Sequence, residues 1–474
     1  MKTNTFFLLF LITVYPLIAV SQSFVIDFKT TEDEICVGFV ENPQGGYFVS
    51  ILRGTYQESD PAMLEYRNIV YKMDDMGNLT DSVTFEDTDS LNFAGGTILL
   101  SGEDVIITST VFAKNDMYNN RALRITTLNF NLDIIDDMIY SKPGYYLWPG
   151  AINLDNNGCL IMAVNQESIS TGEYYPAVVR LNLWNGIWFF YEKPMEEPLP
   201  MQSVAVLPGI NGYLFCDINR IALVNNNLNY KGILYQHEEN DELWFIMSSF
   251  KPLNDSSCIV TGWKPWDPFN AAWSVLNIDG TWEDQHDFGI SGINDHAGGA
   301  DFVSTDNIYI SRAAEMEGYI EWSLYNFKLD GTENWHHNDY TYKGYHFSGF
   351  GAYATSDNSC VIMGRYQTEN SSGNEYDLVF MKLNEDGSVT GLGESDVKTD
   401  ISLYPNPGKD KIYVDGQVAG CKVSLFDCAG RLVFNKQLEN NDAVINVCEL
   451  MPGFYSYRID SKSTTISGKW IKIK

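Results

Sequence analysis

Asn157-Gly158-Cys159-Leu160-Ile161 is a turn followed by a short apolar run, and this phrase returns along the chain. It recurs as Gly45-Gly46-Tyr47-Phe48-Val49, Glu103-Asp104-Val105-Ile106-Ile107 and Asn211-Gly212-Tyr213-Leu214-Phe215. Ser256-Ser257-Cys258-Ile259-Val260, Asp306-Asn307-Ile308-Tyr309-Ile310 and Asn358-Ser359-Cys360-Val361-Ile362 complete seven copies. Aligning Tyr47, Val105, Cys159, Tyr213, Cys258, Ile308 and Cys360 gives spacings of 58, 54, 54, 45, 50 and 52 residues. A second phrase follows each first one: a strand, a polar turn, another strand. Met73-Asp74-Asp75-Met76-Gly77-Asn78, Leu276-Asn277-Ile278-Asp279-Gly280, Lys328-Leu329-Asp330-Gly331 and Leu383-Asn384-Glu385-Asp386-Gly387 show it clearly. Leu181-Asn182-Leu183-Trp184-Asn185-Gly186 and Val224-Asn225-Asn226-Asn227-Leu228 are looser, and Leu128-Asn129-Phe130-Asn131-Leu132 is degenerate. Asp-Gly and Asn-Gly supply the positive φ that tight hairpin turns need.

A period near 50 residues fits one four-stranded sheet with its turns. Such a sheet cannot bury both faces alone, and radial packing of several sheets around an axis does so while leaving only short edges. The chain is therefore all-β: a β-propeller over residues 22–392, read as seven blades, followed by a small C-terminal β-sandwich. The weak second unit leaves six or eight blades open. Closure is expected from Phe24-Val25-Ile26-Asp27-Phe28, lying as an outer strand beside the last unit. Composition agrees, because 28 Tyr and 26 Phe favour strands over helices. No long apolar stripe at helical spacing occurs beyond the N-terminus.

The formal net charge is −31. From Asp396 onward there are 11 Lys and Arg against 9 Asp and Glu, whereas Gln22 to Ser395 holds 19 against 53, a balance of −34. An acidic body has no clustered cations to displace counterions from nucleic acid, so nucleic acid is excluded as a partner. Lys2 and the apolar run Phe6–Val20, with Ala19 and Ser21 before Gln22, have the layout of a signal peptide over residues 1–21. No later segment has the roughly 20 apolar residues of a membrane helix. The eight cysteines show neither a disulfide-scaffold density nor zinc spacing, so no metal or cofactor is expected and small buried hydrophobes are the reading.

After a linker at 393–400 the composition changes, and residues 401–474 form a second unit of short alternating strands. Four features stand in order: Tyr404-Pro405-Asn406-Pro407, the turn Gly430-Arg431, the hairpin Leu450-Met451-Pro452-Gly453-Phe454-Tyr455, and the basic end Lys469-Trp470-Ile471-Lys472-Ile473-Lys474. This segment resembles the type A C-terminal sorting domain of the type IX secretion system of Bacteroidetes, over roughly 398–474. The resemblance implies Tyr404, Pro405, Asn406, Pro407, Gly430, Arg431, Leu450, Gly453, Tyr455, Lys472 and Lys474 as sorting-signal residues. It also implies passage through the periplasm, recognition by the outer-membrane machinery, and a product that is secreted or held on the cell surface. Gly430 and Gly453 are expected where a side chain would clash.

The body carries no G-x-S-x-G, H-E-x-x-H or G-x-x-x-x-G-K. Asp295-His296 precedes Gly298-Gly299 in an expected loop, and His336-His337 lies in an expected surface turn. Its most suggestive feature is the aromatic, Pro-rich stretch Gly262-Trp263-Lys264-Pro265-Trp266-Asp267-Pro268-Phe269, followed by Trp273. Exposed rings of this kind stack on sugars or on partner side chains. Trp263, Trp266 and Trp273 are thus the candidate binding residues, and packing between blades is the alternative for them. The functional reading favours a binding or adhesion module for a glycan or protein. The alternative is an extracellular hydrolase with carboxylates converging near the axis.

Overall fold

The computed structural model describes residues 23–389 except 29–31, 56–64, 86–89, 94–96, 114–120, 184–186, 193–202, 208–211, 217–219, 237–245, 265–268, 291, 317–318, 340–350 and 368–375. It also describes 402–472 except 405–408, 416–419, 428–430, 439–442, 452 and 461–464. The chain divides into two compact units, Met1–Val389 and Thr390–Lys474. All elements among the described residues are strands.

The first unit is a β-propeller. Its described residues form seven antiparallel sheets that succeed one another along the chain. The first blade runs Asp33–Glu41, Tyr47–Thr55, Glu65–Met73, Leu79–Phe85. In the second blade, Asp104–Ala113, Ala122–Asn129 and Ile134–Tyr140 follow an inner position shared by Ser90–Phe93 and Ile98–Ser101. Blades three to six open with Tyr145–Leu154, Ser203–Leu207, Ile246–Asn254 and Asp295–Ser304. The seventh holds Gly351–Ala354, Cys360–Gln367 and Tyr376–Leu383. Each inner strand touches that of the next blade, and the seventh touches the first, so the ring closes.

Each first phrase of the repeat is the start of a blade's second strand, the best-shielded position. Tyr47, Val105, Cys159, Tyr213, Cys258, Ile308 and Cys360 are all buried. Three tyrosines at these starts also clamp neighbouring blades. The Tyr213 hydroxyl donates to Asp155 (3.2 Å), whose carboxylate also takes Arg180 Nε at 2.8 Å. Lys382 Nζ donates to Tyr47 Oη at 2.7 Å and pairs with Asp357 at 2.6 Å. The Tyr309 hydroxyl donates to the Asn358 carbonyl at 2.6 Å. Burial pushes Asp155 up, but the Cys159 N–H and Arg180 outweigh it and hold the carboxyl below its usual range.

Among the described residues the second phrase forms the turn that follows a blade's third strand. Asp74 caps the first by accepting the N–H groups of Met76 and Asn78, and Gly77 takes φ 79°. Two copies place a leucine where four others place glycine: Leu132 at φ 63° and Leu228 at φ 57°, against Gly77, Gly280, Gly331 and Gly387. A left-handed leucine costs roughly 1–2 kcal/mol. Both side chains are buried in interblade core, which returns roughly 1.5–3 kcal/mol each and explains why glycine is dispensable there.

After Leu383 the final turn does not supply the seventh blade's outer strand. Phe24–Phe28 does, pairing antiparallel with Tyr376–Leu383 from Phe24↔Lys382 to Phe28↔Leu378. Phe24 and Phe28 are buried against Tyr47 and Phe380, with centroids 5.8 and 5.4 Å apart. The two ends of the body are thereby zipped together.

The second unit is a two-sheet sandwich. Ser402–Tyr404, Lys411–Asp415 and Ala443–Asn446 form one sheet, and Leu432–Gln437, Lys422–Phe426, Gly453–Asp460 and Thr465–Lys472 form the other. Ile412, Val414, Val423, Leu425, Ile445 and Trp470 are among its core residues. Cys159, Cys216, Cys258, Cys360 and Cys421 are buried, and burial raises the Cys258 thiol to about 12.

Candidate functional site

The strands of each blade run antiparallel in sequence order, so the turns between strands one and two, and between three and four, fall at one end. The connections between strands two and three, and from blade to blade, fall at the other end. That loop face at the seam of blades five and six brings together two features that the sequence kept apart. Trp263 sits near the end of Ser257–Lys264, and His296 near the start of Asp295–Ser304. Their rings meet edge to face at 4.8 Å, and Phe269 lies 5.4 Å from the same imidazole. All three are half-buried. Asn294 fixes the rim by accepting the Phe269 N–H at 3.0 Å and donating to Glu315 at 3.3 Å. Lys264 pairs with Asp287 at 2.6 Å. Asp295-His296 is thus strand, not loop: the residues pair with Ala314 and Ala313 across the sheet.

Directly below, the seam is ionic. Asp295 is fully buried, and its two oxygens accept the Ala271 N–H at 2.5 Å and the Ile290 N–H at 2.6 Å. Burial raises its carboxyl, against the pull of those N–H groups and of Arg312. Arg312, 1% exposed, donates to Glu321 at 2.7 Å and to the Tyr325 hydroxyl at 2.6 Å. Burial lowers the His296 pKa, against the opposing charges of Glu315 and Asp295. A neutral imidazole beside two aromatic rings offers one donor and one acceptor next to apolar surface. Asp295 is committed to backbone N–H groups and Glu321 to Arg312, so neither is presented as a general acid or base. Among the described residues no group of three or more His, Cys, Asp and Glu is arranged to hold a metal ion.

Trp273 must be removed from the surface set. It is 0% exposed, packed against His286 at 4.6 Å and Phe327 at 5.8 Å. Its place in the third strand of the blade, facing the next blade, makes it core. Trp266 lies outside the described residues. His336, expected in a turn, lies in Glu333–Asp339, stacked on Tyr325 at 5.1 Å and paired with Glu333 at 2.7 Å.

The tail's motif residues take different structural roles. Tyr404 ends a strand and pairs with Tyr413. Arg431 is exposed and closes its turn through Asp427, which accepts the Arg431 N–H at 2.9 Å and Nε at 2.7 Å. Leu450 packs on the sandwich core. The Tyr455 hydroxyl donates to the Met451 carbonyl at 2.6 Å. Lys472 is 5% exposed, and its ammonium donates to the carbonyls of Lys409 (2.8 Å) and Val447 (3.0 Å) and to Asp410 (3.2 Å). Three acceptors match its three protons, so this residue is an internal strap and not a displayed charge. Gly453 corrects another expectation: it is absent from the positive-φ positions, and an added Cβ would meet nothing within 4 Å. Pro405, Asn406, Pro407, Gly430 and Lys474 lie outside the described residues.

Residues 402–474 match the family described as the secretion system C-terminal sorting domain. The tail is a type IX sorting domain. It marks the chain for export to the cell surface or medium and implies contact with the secretion machinery. Among the described residues no helix is long and apolar enough to cross a membrane. A search of the curated proteins found no match. Solved structures similar to this chain include PorZ, described as an essential surface component of the type IX secretion system of Porphyromonas gingivalis. That likeness has 10% identity over 93% of this chain and 81% of PorZ, with TM-score 0.28. The Dos1 propeller is similar at 11% identity, over 77% of this chain and 95% of its own, with TM-score 0.43. The Saccharomyces cerevisiae core factor is similar at 9% identity, over 77% and 61%, with TM-score 0.42. Likenesses of this size say nothing of what this chain binds.

Proposed function

We propose that the protein is an extracellular binding module: a seven-bladed propeller delivered by its sorting domain and presented on, or released from, the cell surface. Its mature chain begins at Gln22, and the body extends to about residue 392 before a linker at 393–400. The ligand is a glycan or a protein side-chain cluster held at the loop-face seam of blades five and six. The observation that carries this reading is the contact of Trp263, Phe269 and His296. Three half-buried rings gather there over the buried ionic layer of Asp295, Arg312 and Glu321. Aromatic rings of this kind supply large contact area at little entropic cost. The buried commitment of Asp295 and Glu321 favours binding over hydrolysis at this seam.

The test is a glycan array probed with the mature protein and with Trp263→Ala. The reading expects a defined set of bound glycans, weakened about tenfold or more by the substitution, the scale of one lost aromatic anchor. An unchanged set would overturn it, and so would turnover of the bound glycan without loss on substitution.

A further inference from the structure

The four-stranded sheet of the sorting domain has two unlike edges. At one, Thr465–Lys472 is tied down: Trp470 is fully buried, and the Lys472 ammonium is held by three acceptors. At the other, Leu432–Gln437 pairs with Lys422–Phe426 and with no other strand among the described residues. Every residue of that strand is exposed except Phe434, which is half-buried on the core. Leu432 is 53% exposed and Val433 38%. The three-stranded sheet ends beside it. Lys436 Nζ reaches the Val444 carbonyl at 3.5 Å, and Val444, on the outer strand Ala443–Asn446, is itself 41% exposed.

An exposed apolar edge strand invites pairing with another chain, and proteins ordinarily guard such edges. Guards are sparse here, since Leu432–Gln437 holds no proline and a single lysine. Its one irregularity is a bulge at Val433, which the register skips between Phe434↔Leu425 and Leu432↔Phe426. The bulge re-aims the head of the strand, so that Leu432 and Val433 are both exposed although adjacent in sequence. Beyond it, Phe434 to Gln437 keep a regular register, which suits their outer edge to one more strand. The turn that opens the strand is closed by Arg431 on Asp427, so the edge is set in place by the tail itself. Charge narrows the partner. Residues 431–438 contain Arg431 and Lys436 and no carboxylate, and exposed Lys422 stands opposite Gln437. A second copy of this strand would bring like charges together, whereas a segment with carboxylates would complement them. The family match of residues 402–474 supplies the class of partner, the secretion machinery.

We propose that Leu432–Gln437 is the edge on which the secretion machinery docks, by adding an extended segment that carries apolar residues and carboxylates. Main-chain hydrogen bonds along the edge supply affinity, and the side chains supply selection. Leu432 and Val433 take the apolar residues of the added strand, and Lys436 takes a carboxylate. The proposal rests on the export route and is independent of the Trp263 seam.

The test follows the full chain in a host with type IX secretion, as the ratio of exported to periplasmic protein. Leu432→Glu combined with Val433→Glu is expected to lower that ratio about tenfold or more, the scale of lost anchor contacts. Lys436→Glu keeps the apolar pair and should lower it several-fold, by setting a carboxylate against those of the partner. Met451→Glu puts the same charge on another exposed apolar residue of the tail and should leave the ratio unchanged. An unaltered thermal midpoint of the tail shows that each variant is folded. If the double Glu variant lowers that midpoint, Leu432→Ser combined with Val433→Ser decides instead. Normal export of the folded Leu432 and Val433 variants overturns the proposal, as does an equal loss from Met451→Glu. Indifference to Lys436→Glu overturns the acidic character of the partner. A dimer of the native chain that the double variant dissolves would assign the edge to a second copy and overturn the proposal too. Failure of the unaltered chain to leave the periplasm would tell instead against the export route on which it rests.

Discussion

The propeller and the sorting domain solve the same problem, securing a terminal strand, by different means. The body recruits Phe24–Phe28 from its beginning to complete its last blade, using five paired positions and two buried phenyl rings. The tail holds Thr465–Lys472 through pairing with Gly453–Asp460, the buried indole of Trp470 and a three-point ammonium strap from Lys472. A large ring has apolar surface to spare and closes with it. A small sandwich buries less and reinforces its edge with a desolvated charge, which is tolerable only because every proton finds an acceptor. The two units should therefore fail separately and for different reasons.

The largest separation is expected from Trp470→Ala. Truncating a fully buried Trp costs about 3–5 kcal/mol, a large part of what a small domain has. In calorimetry the tail transition should vanish or fall far while the body transition stays, and the protein should accumulate in the periplasm. Phe28→Ala reverses the pattern, since a buried Phe lost from the closure strand costs about 3–4 kcal/mol. The body midpoint should drop and the tail's should not. A shared drop in either experiment would mean that the two units are one cooperative body.

Smaller effects probe the left-handed turns. Leu132→Gly relieves backbone strain and removes buried apolar surface, and the lost burial outweighs the relief. A net loss of about 1 kcal/mol is expected in denaturant titration of the body. A gain in stability would show that strain dominates. Gly453→Val should be the mildest change, within about 0.5 kcal/mol, because its φ is ordinary and no atom crowds the new side chain. Normal export of this variant would confirm that the hairpin glycine is not a steric necessity. His296 adds a pH signature. Its folded pKa is lowered by burial, so stability is complete above the unfolded value of about 6.5 and declines as pH falls through that value. His296→Gln should remove that decline, as followed by thermal midpoint between about pH 5 and 7.

The body was legible because its signal is repeated. Seven copies of a turn and an apolar run mark the second strand of each blade, and a second phrase marks the turn after the third strand even where it is degenerate, as at Leu128–Leu132. Phe24–Phe28 was expected as an outer strand beside the last unit, and it pairs there with Tyr376–Leu383. The candidate site was legible only in pieces. Trp263 and His296 each stood out, but their meeting depends on blades five and six being neighbours. Trp273 misled because an aromatic residue near a Pro-rich loop looks the same whether it faces solvent or the next blade. Strand alternation from Asn270 is what turns it inward. In the tail, Lys472 looked like a displayed basic charge because a charged residue near a chain end usually is one. Its burial depends on carbonyls of Lys409 and Val447, distant in sequence.

The central claim is that the tail is a self-sufficient export address and the propeller is its cargo. Fusing residues 396–474 to a folded periplasmic reporter, in a host with type IX secretion, tests it most directly by locating the reporter. The reporter is expected on the cell surface or in the medium, and in the periplasm when the fused tail carries Trp470→Ala. A reporter that remains periplasmic with the intact tail, although the native protein is exported in the same host, would contradict it.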